Sequence, residues 1–174
     1  AGITYRGEIA YKAVDNLALY RAEQGIDIPR FRVEYDTAKI VEIQGTVTIP
    51  LSFAQGLELT ATAVQRFYRL EREDKPWHLP SFSLNAGASY TTRDKRATGR
   101  ATLFLENGVP YQDADGEAQN LNALFDLSLE GEYVITNALG AFAQLNNLAN
   151  NKRERYFRYP TIGLNAVLGI SLKF

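Results

Sequence analysis

The only histidine of the chain, His78, is the first residue that could carry acid–base chemistry. It lies in the segment Trp77-His78-Leu79-Pro80, and Ser81 and Ser83 follow it closely. A histidine activates a serine when its ring hydrogen-bonds to the hydroxyl and a third group orients the ring. No spacing here requires that geometry, and a His beside a Trp at a loop edge is more typical of a membrane interface. We therefore predict no catalytic residue and no enzyme activity.

A second candidate is a short acidic turn in which Asp113, Asp115 and Glu117 alternate around Gly116. Calcium prefers several oxygen ligands, and such turns resemble the start of a calcium loop. The bidentate Glu expected at the twelfth position of that loop is missing, because Leu124 stands there. A solvated turn explains the carboxylates as well. We predict no metal and no cofactor, and calcium at these three carboxylates stays open.

The amino-acid composition excludes several classes of protein. The chain of 174 residues has no Cys, which excludes a disulfide framework, a thiol nucleophile and a Cys-ligated metal. Its 19 basic and 20 acidic residues give a net charge of −1, so no nucleic-acid partner is expected. No apolar run approaches the roughly 18 residues of a transmembrane helix. The ten Tyr and nine Phe are a composition often found at membrane interfaces.

The elements that must position these residues are strands, because apolar and polar residues alternate with a period of two along most of the chain. We predict nine strands, at residues 3–13, 17–22, 38–51, 57–70, 81–92, 97–106, 122–136, 139–149 and 160–174. A turn at 14–16 separates the first two, and a short additional strand at 30–35 would make the number even. The prediction is an all-β protein, an antiparallel transmembrane β-barrel of about 8–10 strands.

Two patterns favour a membrane barrel over a soluble one. Short connections (14–16, 52–56, 94–96, 137–138) alternate with longer ones (23–37, 71–80, 107–121, 150–159), as in outer-membrane barrels. Aromatic residues also bracket the apolar rows of two strands, eight residues apart, which corresponds to about 26 Å along a strand. We predict six membrane-interface aromatics: Tyr5, Tyr11, Phe82, Tyr90, Phe125 and Tyr133. Charged residues on the opposite rows would face the lumen and pair across strands.

The last strand has an unbroken apolar row and ends on an aromatic residue, Phe174. It resembles the final strand of bacterial outer-membrane β-barrels, whose terminal Phe belongs to a signal read by the barrel-assembly machinery. Gly169 and Leu172 fit that signal, whereas Val167 stands where a polar residue is usual. The resemblance implies that Gly169, Leu172 and Phe174 form an assembly signal and that the barrel-assembly machinery is a partner.

Two further segments resemble TonB-dependent outer-membrane receptors. The segment 147–152, NLANNK, is similar to the end of their penultimate strand, and 159–163, YPTIG, is similar to the opening of their last strand. Ala149, an inserted Asn151 and Leu164 depart from the pattern. The resemblance implies transport or surface binding by a large barrel with an N-terminal plug. No plug is visible, and the absence of Met favours an upstream start. Residues 1–174 would then be the C-terminal portion of a larger barrel.

The first hypothesis is therefore a barrel of the bacterial outer membrane that acts in transport or as a component of a surface complex. Its expected partners are outer-membrane lipid and lipopolysaccharide, whose phosphates residues 152–155 could contact, and other outer-membrane chains. One alternative is a small stand-alone barrel, either a lipid-modifying enzyme using His78 or a structural or adhesive protein. The other is a soluble ligand-binding β-barrel with its apolar rows inward.

Overall fold

A computed structural model describes residues 2–23, 30–51, 56–113 and 115–173. These residues form strands and connections, with no helix long and apolar enough to cross a membrane. The twelve strands are β1 (Thr4–Ala22), β2 (Phe31–Pro50), β3 (Leu57–Leu70), β4 (Phe82–Thr91), β5 (Ala97–Asn107), β6 (Pro110–Gln112), β7 (Ala118–Asn120), β8 (Leu124–Val134), β9 (Leu139–Asn146), β10 (Glu154–Tyr156), β11 (Tyr159–Pro160) and β12 (Asn165–Leu172).

Eight of these strands form one antiparallel sheet in the order β1-β2-β3-β4-β5-β8-β9-β12. Each long strand pairs with the next long strand along the chain, while β6–β7 and β10–β11 are small hairpins within the connections. Among the described residues, the edge strands β1 and β12 do not pair with each other, so the sheet is open. The predicted all-β antiparallel fold is confirmed.

The predicted turn at 14–16 is wrong, because those residues are a β-bulge inside the single strand β1. Val14 pairs with Ala38 and Leu17 with Asp36, so two residues of β1 oppose one of β2. Asn16 takes a positive φ of 57° there. The bulge reverses the alternation of β1, and this break in phase is what the sequence pattern presented as a strand end.

Strands that were predicted separately are therefore continuous on both sides of the β1–β2 connection. Residues 3–13 and 17–22 are both in β1, and the optional strand at 30–35 is the beginning of β2. The sheet consequently has an even number of strands, and β1 begins at the same end of the sheet as that at which β12 finishes. The last strand begins at Asn165 rather than at residue 160, because Pro160 pairs with Glu154 in the β10–β11 hairpin.

The two faces of the sheet differ in chemistry and in exposure. The apolar face carries exposed side chains such as Ile9 (76%), Leu168 (80%) and Ile170 (69%). The polar face carries the charged and hydroxyl rows, and only near the long connections does it have a buried apolar core. That core consists of Leu19, Ala38, Ile40, Val64, Trp77, Val109, Leu121 and Leu124. An apolar face left open over a whole sheet marks an interaction with lipid or another apolar surface.

Candidate functional site

The long connections lie together at one end of the sheet. The described ones comprise residues 71–81, 108–113, 115–123 and 147–164, whereas residues 92–96 and 135–138 make short turns at the opposite end. Most of the connection between β1 and β2 and most of the connection between β2 and β3 lie outside the described residues. The predicted alternation of short and long connections is therefore present once the turn at 14–16 is removed. We refer to the end that carries the long connections as the long-loop end.

His78 ties several of these connections together. Its Nδ1–H donates to the Tyr20 carbonyl at 2.6 Å, and its Nε2 accepts the Phe157 N–H at 3.3 Å. Its backbone N–H donates to the Pro110 carbonyl at 2.8 Å. These three partners belong to β1, to the β10–β11 hairpin and to β6. Because Nδ1 donates and Nε2 accepts, the ring is neutral.

The environment of His78 favours that neutral form. The residue is 6% exposed, and this burial lowers the pKa of the imidazole, with the Tyr20 carbonyl opposing the shift. Neither serine proposed as a partner bonds to the ring. Ser83 Oγ accepts from Arg66, and Ser81 bonds through its backbone to Arg66 and Gly108. The structure thus places His78 as a bridge between loops, and the predicted absence of catalysis stays a prediction.

Aromatic rings surround His78. The Phe31 ring lies 5.0 Å from the imidazole in an edge-on arrangement, and the Tyr156 ring lies 5.4 Å away. Tyr156 also contacts Phe31 and Tyr20, with centroids 5.8 and 5.7 Å apart. Such pairs favour tilted and edge-to-face contacts, which hold the start of β2 against the β10–β11 hairpin.

Trp77, beside His78, is buried rather than set at a lipid interface as its sequence context suggested. It is 5% exposed, and its Nε1–H donates to Glu73 Oε2 at 2.7 Å. The Arg21 guanidinium lies 5.8 Å from the Trp77 ring and donates to Gln112 Oε1 at 2.9 Å. Arg21 thereby connects β1 with the β3–β4 connection and with β6 across the polar face.

Asp36 is a buried residue that sequence reasoning missed. It is 1% exposed, and its carboxylate accepts backbone N–H groups of Thr37, Arg72 and Glu73 at 2.7, 3.0 and 2.8 Å. A buried carboxylate is tolerated when hydrogen bonds replace its water. Asp36 therefore anchors the β3–β4 connection to β2, opposite the bulge.

An open polar cleft of 350 Å³ lies between the β6–β7 hairpin and the β10 strand. The Tyr111 and Phe157 rings stack in its wall at 4.6 Å. The remaining lining includes Asn120, Asn122, Lys152, Arg153 and Glu154. Amides, charges of both signs and an aromatic wall suit a polar ligand with a flat or apolar part.

The motif residue Asn147 closes the neck of the connection that carries the β10–β11 hairpin. It is 3% exposed with a positive φ of 52°. Its Nδ2 donates to the carbonyls of Asn151 and Ile162 at 2.9 Å each, and its Oδ1 accepts the Asn151 N–H at 2.9 Å. One side chain thus joins the two ends of the connection.

The motif residues Asn150 and Gly163 meet just outside that neck. Asn150 Oδ1 accepts the Leu164 N–H at 3.1 Å. A Cβ added at Gly163 would lie 2.5 Å from Asn150 Oδ1, so a side chain there would displace the amide. The residues behind the family resemblance therefore have a local structural role in holding the hairpin.

Charged residues on the polar face pair across strands, as expected for a lumen lining. Glu42 accepts from Arg66 Nε at 2.9 Å and from Lys12 Nζ at 3.1 Å, while Arg66 also donates to Ser83 Oγ at 3.2 Å. Four neighbouring strands, β1 to β4, are linked in this way. Lys12, Glu42, Arg66 and Ser83 thus form one hydrogen-bonded group on the polar face.

All six predicted interface aromatics lie on the apolar face, and their contact with lipid stays a prediction. Tyr5, Tyr11, Tyr90 and Tyr133 are exposed, and Phe82 and Phe125 are half-buried. Tyr11, Phe82 and Phe125 lie toward the long-loop end of their strands, and Tyr5, Tyr90 and Tyr133 toward the short-turn end.

Of the predicted assembly signal, Gly169 lies opposite Phe142 and Leu172 opposite Leu139. Phe174 lies outside the described residues. A Cβ on Gly169 would overlap the Phe142 ring, which covers it. Gly169 therefore has a packing role in the sheet, and the assembly role of these three residues stays a prediction.

The acidic turn holds itself together. Asp113 Oδ1 accepts the N–H groups of Asp115 and Glu117 at 3.0 and 2.9 Å, which closes the tip of the β6–β7 hairpin. Within the described ranges, no group of three or more acidic or histidine side chains is placed to hold a metal ion.

Comparison with known proteins shows which fold this chain shares. No family model matches the chain, and no curated sequence matches it. Among solved structures it is similar to the copper transporter OprC, with a TM-score of 0.72 and 12% identity over 99% of this chain and 29% of that one. The chain has the fold of part of an outer-membrane β-barrel.

A second solved structure agrees. The pyoverdine outer membrane receptor FpvA from Pseudomonas aeruginosa PAO1, with pyoverdine bound, matches with a TM-score of 0.64 and 15% identity over 98% of this chain. The matched region is 27% of that receptor. The chain thus spans less than a third of the length of either protein, and the likeness concerns the fold.

Proposed function

We propose that this chain forms part of the wall of a bacterial outer-membrane transport barrel that resembles TonB-dependent receptors, and that its long-loop end faces the outside. The observation that carries the proposal is the open eight-stranded sheet with an exposed apolar face. Nearly its whole length, 99% and 98%, matches two solved outer-membrane proteins, and the matched regions are 29% and 27% of those chains.

The open edges support a larger barrel. In the hydrocarbon of a bilayer, the unpaired N–H and C=O groups of an edge strand have no water to bond. The edges of β1 and β12 must therefore pair with other strands before the sheet can lie in a membrane. Outer-membrane transporters of about 22 strands have a plugged lumen, and eight strands would be about a third of such a wall.

The chemistry of the two faces indicates which side of the barrel wall meets lipid and which side faces the lumen. The apolar face meets lipid, and the polar face, with Glu42, Arg66 and Lys12 paired across strands, faces the lumen. The cleft between Tyr111 and Arg153 opens at the long-loop end, where a ligand from outside would first arrive. We assign the capture of a polar or anionic solute to that cleft.

The first experiment is the intact mass and N-terminal peptide map of the natural protein from the outer-membrane fraction. A mass far above the 19.5 kDa of this chain supports a larger barrel. A mass equal to this chain overturns it and favours the small stand-alone barrel. Recovery in the soluble fraction favours the soluble barrel, although that fold would need its apolar rows inside.

Transport itself is tested by uptake in a strain that lacks the gene. Copper ions and ferric pyoverdine are the probes, because the similar structures are named for them. Loss of uptake of either probe, with recovery on complementation, supports transport. Unchanged uptake of both probes excludes these two substrates and overturns transport of that class. If an anionic probe is taken up, the variant R153Q, at the cleft, should reduce its uptake, whereas R93Q at the short-turn end should not.

A further inference from the structure

Two cations oppose each other on the apolar face. Lys39 of β2 pairs in register with Arg69 of β3, and both side chains are exposed. Because side chains alternate along a strand, Lys39 shares its row with Val41, and Arg69 shares its row with Phe67. Both charges therefore lie on the face that carries the apolar rows, not among the paired charges of the lumen.

Neither cation is compensated. Within the described ranges, neither side chain forms a hydrogen bond or an ion pair. Like charges directly opposite on neighbouring strands repel each other and destabilise the sheet. By contrast, Lys12 and Arg66 on the other face share Glu42 between them. A pair of uncompensated cations facing the same way favours an anionic ligand.

The position of the two cations limits which kind of anionic ligand can bind there. Toward the short-turn end, the next cross-strand row on the same face is Tyr11, Val41 and Phe67, with exposures of 64, 38 and 55%. The cations thus lie toward the long-loop end of the apolar face, where Arg69 follows the last apolar residue of that row in β3, while Tyr35 and Val33 continue the row of β2 beyond Lys39 with exposures of 58 and 41%. A ligand that covers both features carries a phosphate and acyl chains.

We propose that Lys39 and Arg69 bind a phosphate of a lipopolysaccharide molecule in the outer leaflet, with its acyl chains on Tyr11, Val41 and Phe67. The guanidinium can hold two phosphate oxygens through a fork of N–H donors, and the ammonium adds a second charge. This site rests on the proposed function, since it needs a barrel in the outer membrane with the long loops outside. It also differs from residues 152–155, where Arg155 lies 3.9 Å from Glu106.

The test compares the natural full-length protein with the variant K39Q/R69Q. Both are purified from outer membranes in mild detergent, and retained lipopolysaccharide is counted by native mass spectrometry. We expect retention to fall by at least about tenfold, because two charge-assisted contacts are lost. The matched variant R93Q/K95Q removes two cations at the short-turn end and should retain lipid as the unchanged protein does. The variant K39R/R69K keeps both charges and should also retain it.

Added ligands then separate the possible sources of the phosphate. Lipid A should displace bound lipopolysaccharide, whereas dephosphorylated lipid A and inorganic phosphate should not. Displacement by inorganic phosphate, or equal retention in K39Q/R69Q, overturns the lipid site. If the double variant fails to assemble, K39Q and R69Q are measured singly, and each should lower retention. Recovery of the unchanged protein outside the outer membrane refutes the proposed function, whereas unaltered lipid retention in an outer-membrane protein refutes this site alone.

Discussion

At the scale of single residues, His78 shows how a side chain that suggests catalysis can serve architecture instead. Both ring nitrogens bond to backbone groups of different connections, at Tyr20 and Phe157. This arrangement requires a neutral ring, because a protonated Nε2 would point its proton at the Phe157 N–H. The long-loop end is therefore held by an imidazole whose pKa burial lowers below its ordinary value.

This bridge predicts a loop end that loosens in acid. In the open state the ring titrates near its ordinary pKa of 6.5, whereas burial lowers the pKa in the closed state. The open state therefore binds a proton first, and loop closure loses stability as the pH falls through 6.5 toward the lower pKa. Hydrogen exchange of peptides 76–80 and 155–158, corrected for intrinsic rates, should be faster at pH 5 than at pH 7.5.

The matched variant is H78Q, which keeps a donor and an acceptor but does not titrate. Its exchange in these peptides should change little between the two pH values. The same acid response in H78Q would show that another group controls the loops.

At the scale of elements, the bulge in β1 depends on a residue that accepts a positive φ. Asn16, with φ of 57°, takes this conformation more readily than a β-branched residue. We expect N16V to destabilise the barrel by about 1–2 kcal/mol and N16G to be nearly neutral. The temperature at which the heated barrel unfolds on a denaturing gel measures both. Equal loss in N16G would mean that the Asn side chain, not its backbone, is required.

A second prediction at this scale concerns the neck of the connection that carries the β10–β11 hairpin. The variant G163A would place a Cβ against Asn150 Oδ1 and break its bond to the Leu164 N–H. The hairpin should then open. Trypsin added to intact cells should cut the protein faster at the basic residues within 152–158. The control is G131A, since a Cβ there meets no atom within 4 Å. Equal cleavage of both variants would contradict the role of the neck.

At the scale of the whole molecule, the proposed membrane barrel requires other strands to complete the open sheet, and we expect the last strand to guide that assembly. If Phe174 belongs to the signal that it resembles, F174A should lower the amount of barrel in the outer membrane, because the assembly machinery recognises the terminal aromatic. Heat-modifiable barrel in membrane fractions measures this. F174Y keeps an aromatic ring and should assemble, and normal assembly of F174A would refute the signal.

The sequence by itself determined the strands, their two faces and the alternation of long and short connections. These follow from a period of two that neighbouring residues create locally, whatever the strand pairs with. The same local pattern located the six aromatics on the apolar face. The segments 147–152 and 159–163, which were expected to end the penultimate strand and to open the last one, instead lie in the connection between β9 and β12.

The tertiary structure decided what depends on register and on distant partners. A break in alternation at 14–16 is the same in sequence whether the chain turns or bulges, and only the pairing of Leu17 with Asp36 shows a bulge. The bridge of His78 and the pairing of Lys39 with Arg69 likewise join residues from separate elements. Side-chain periodicity is local, whereas hydrogen bonds and charge pairs between elements exist only once the strands are aligned.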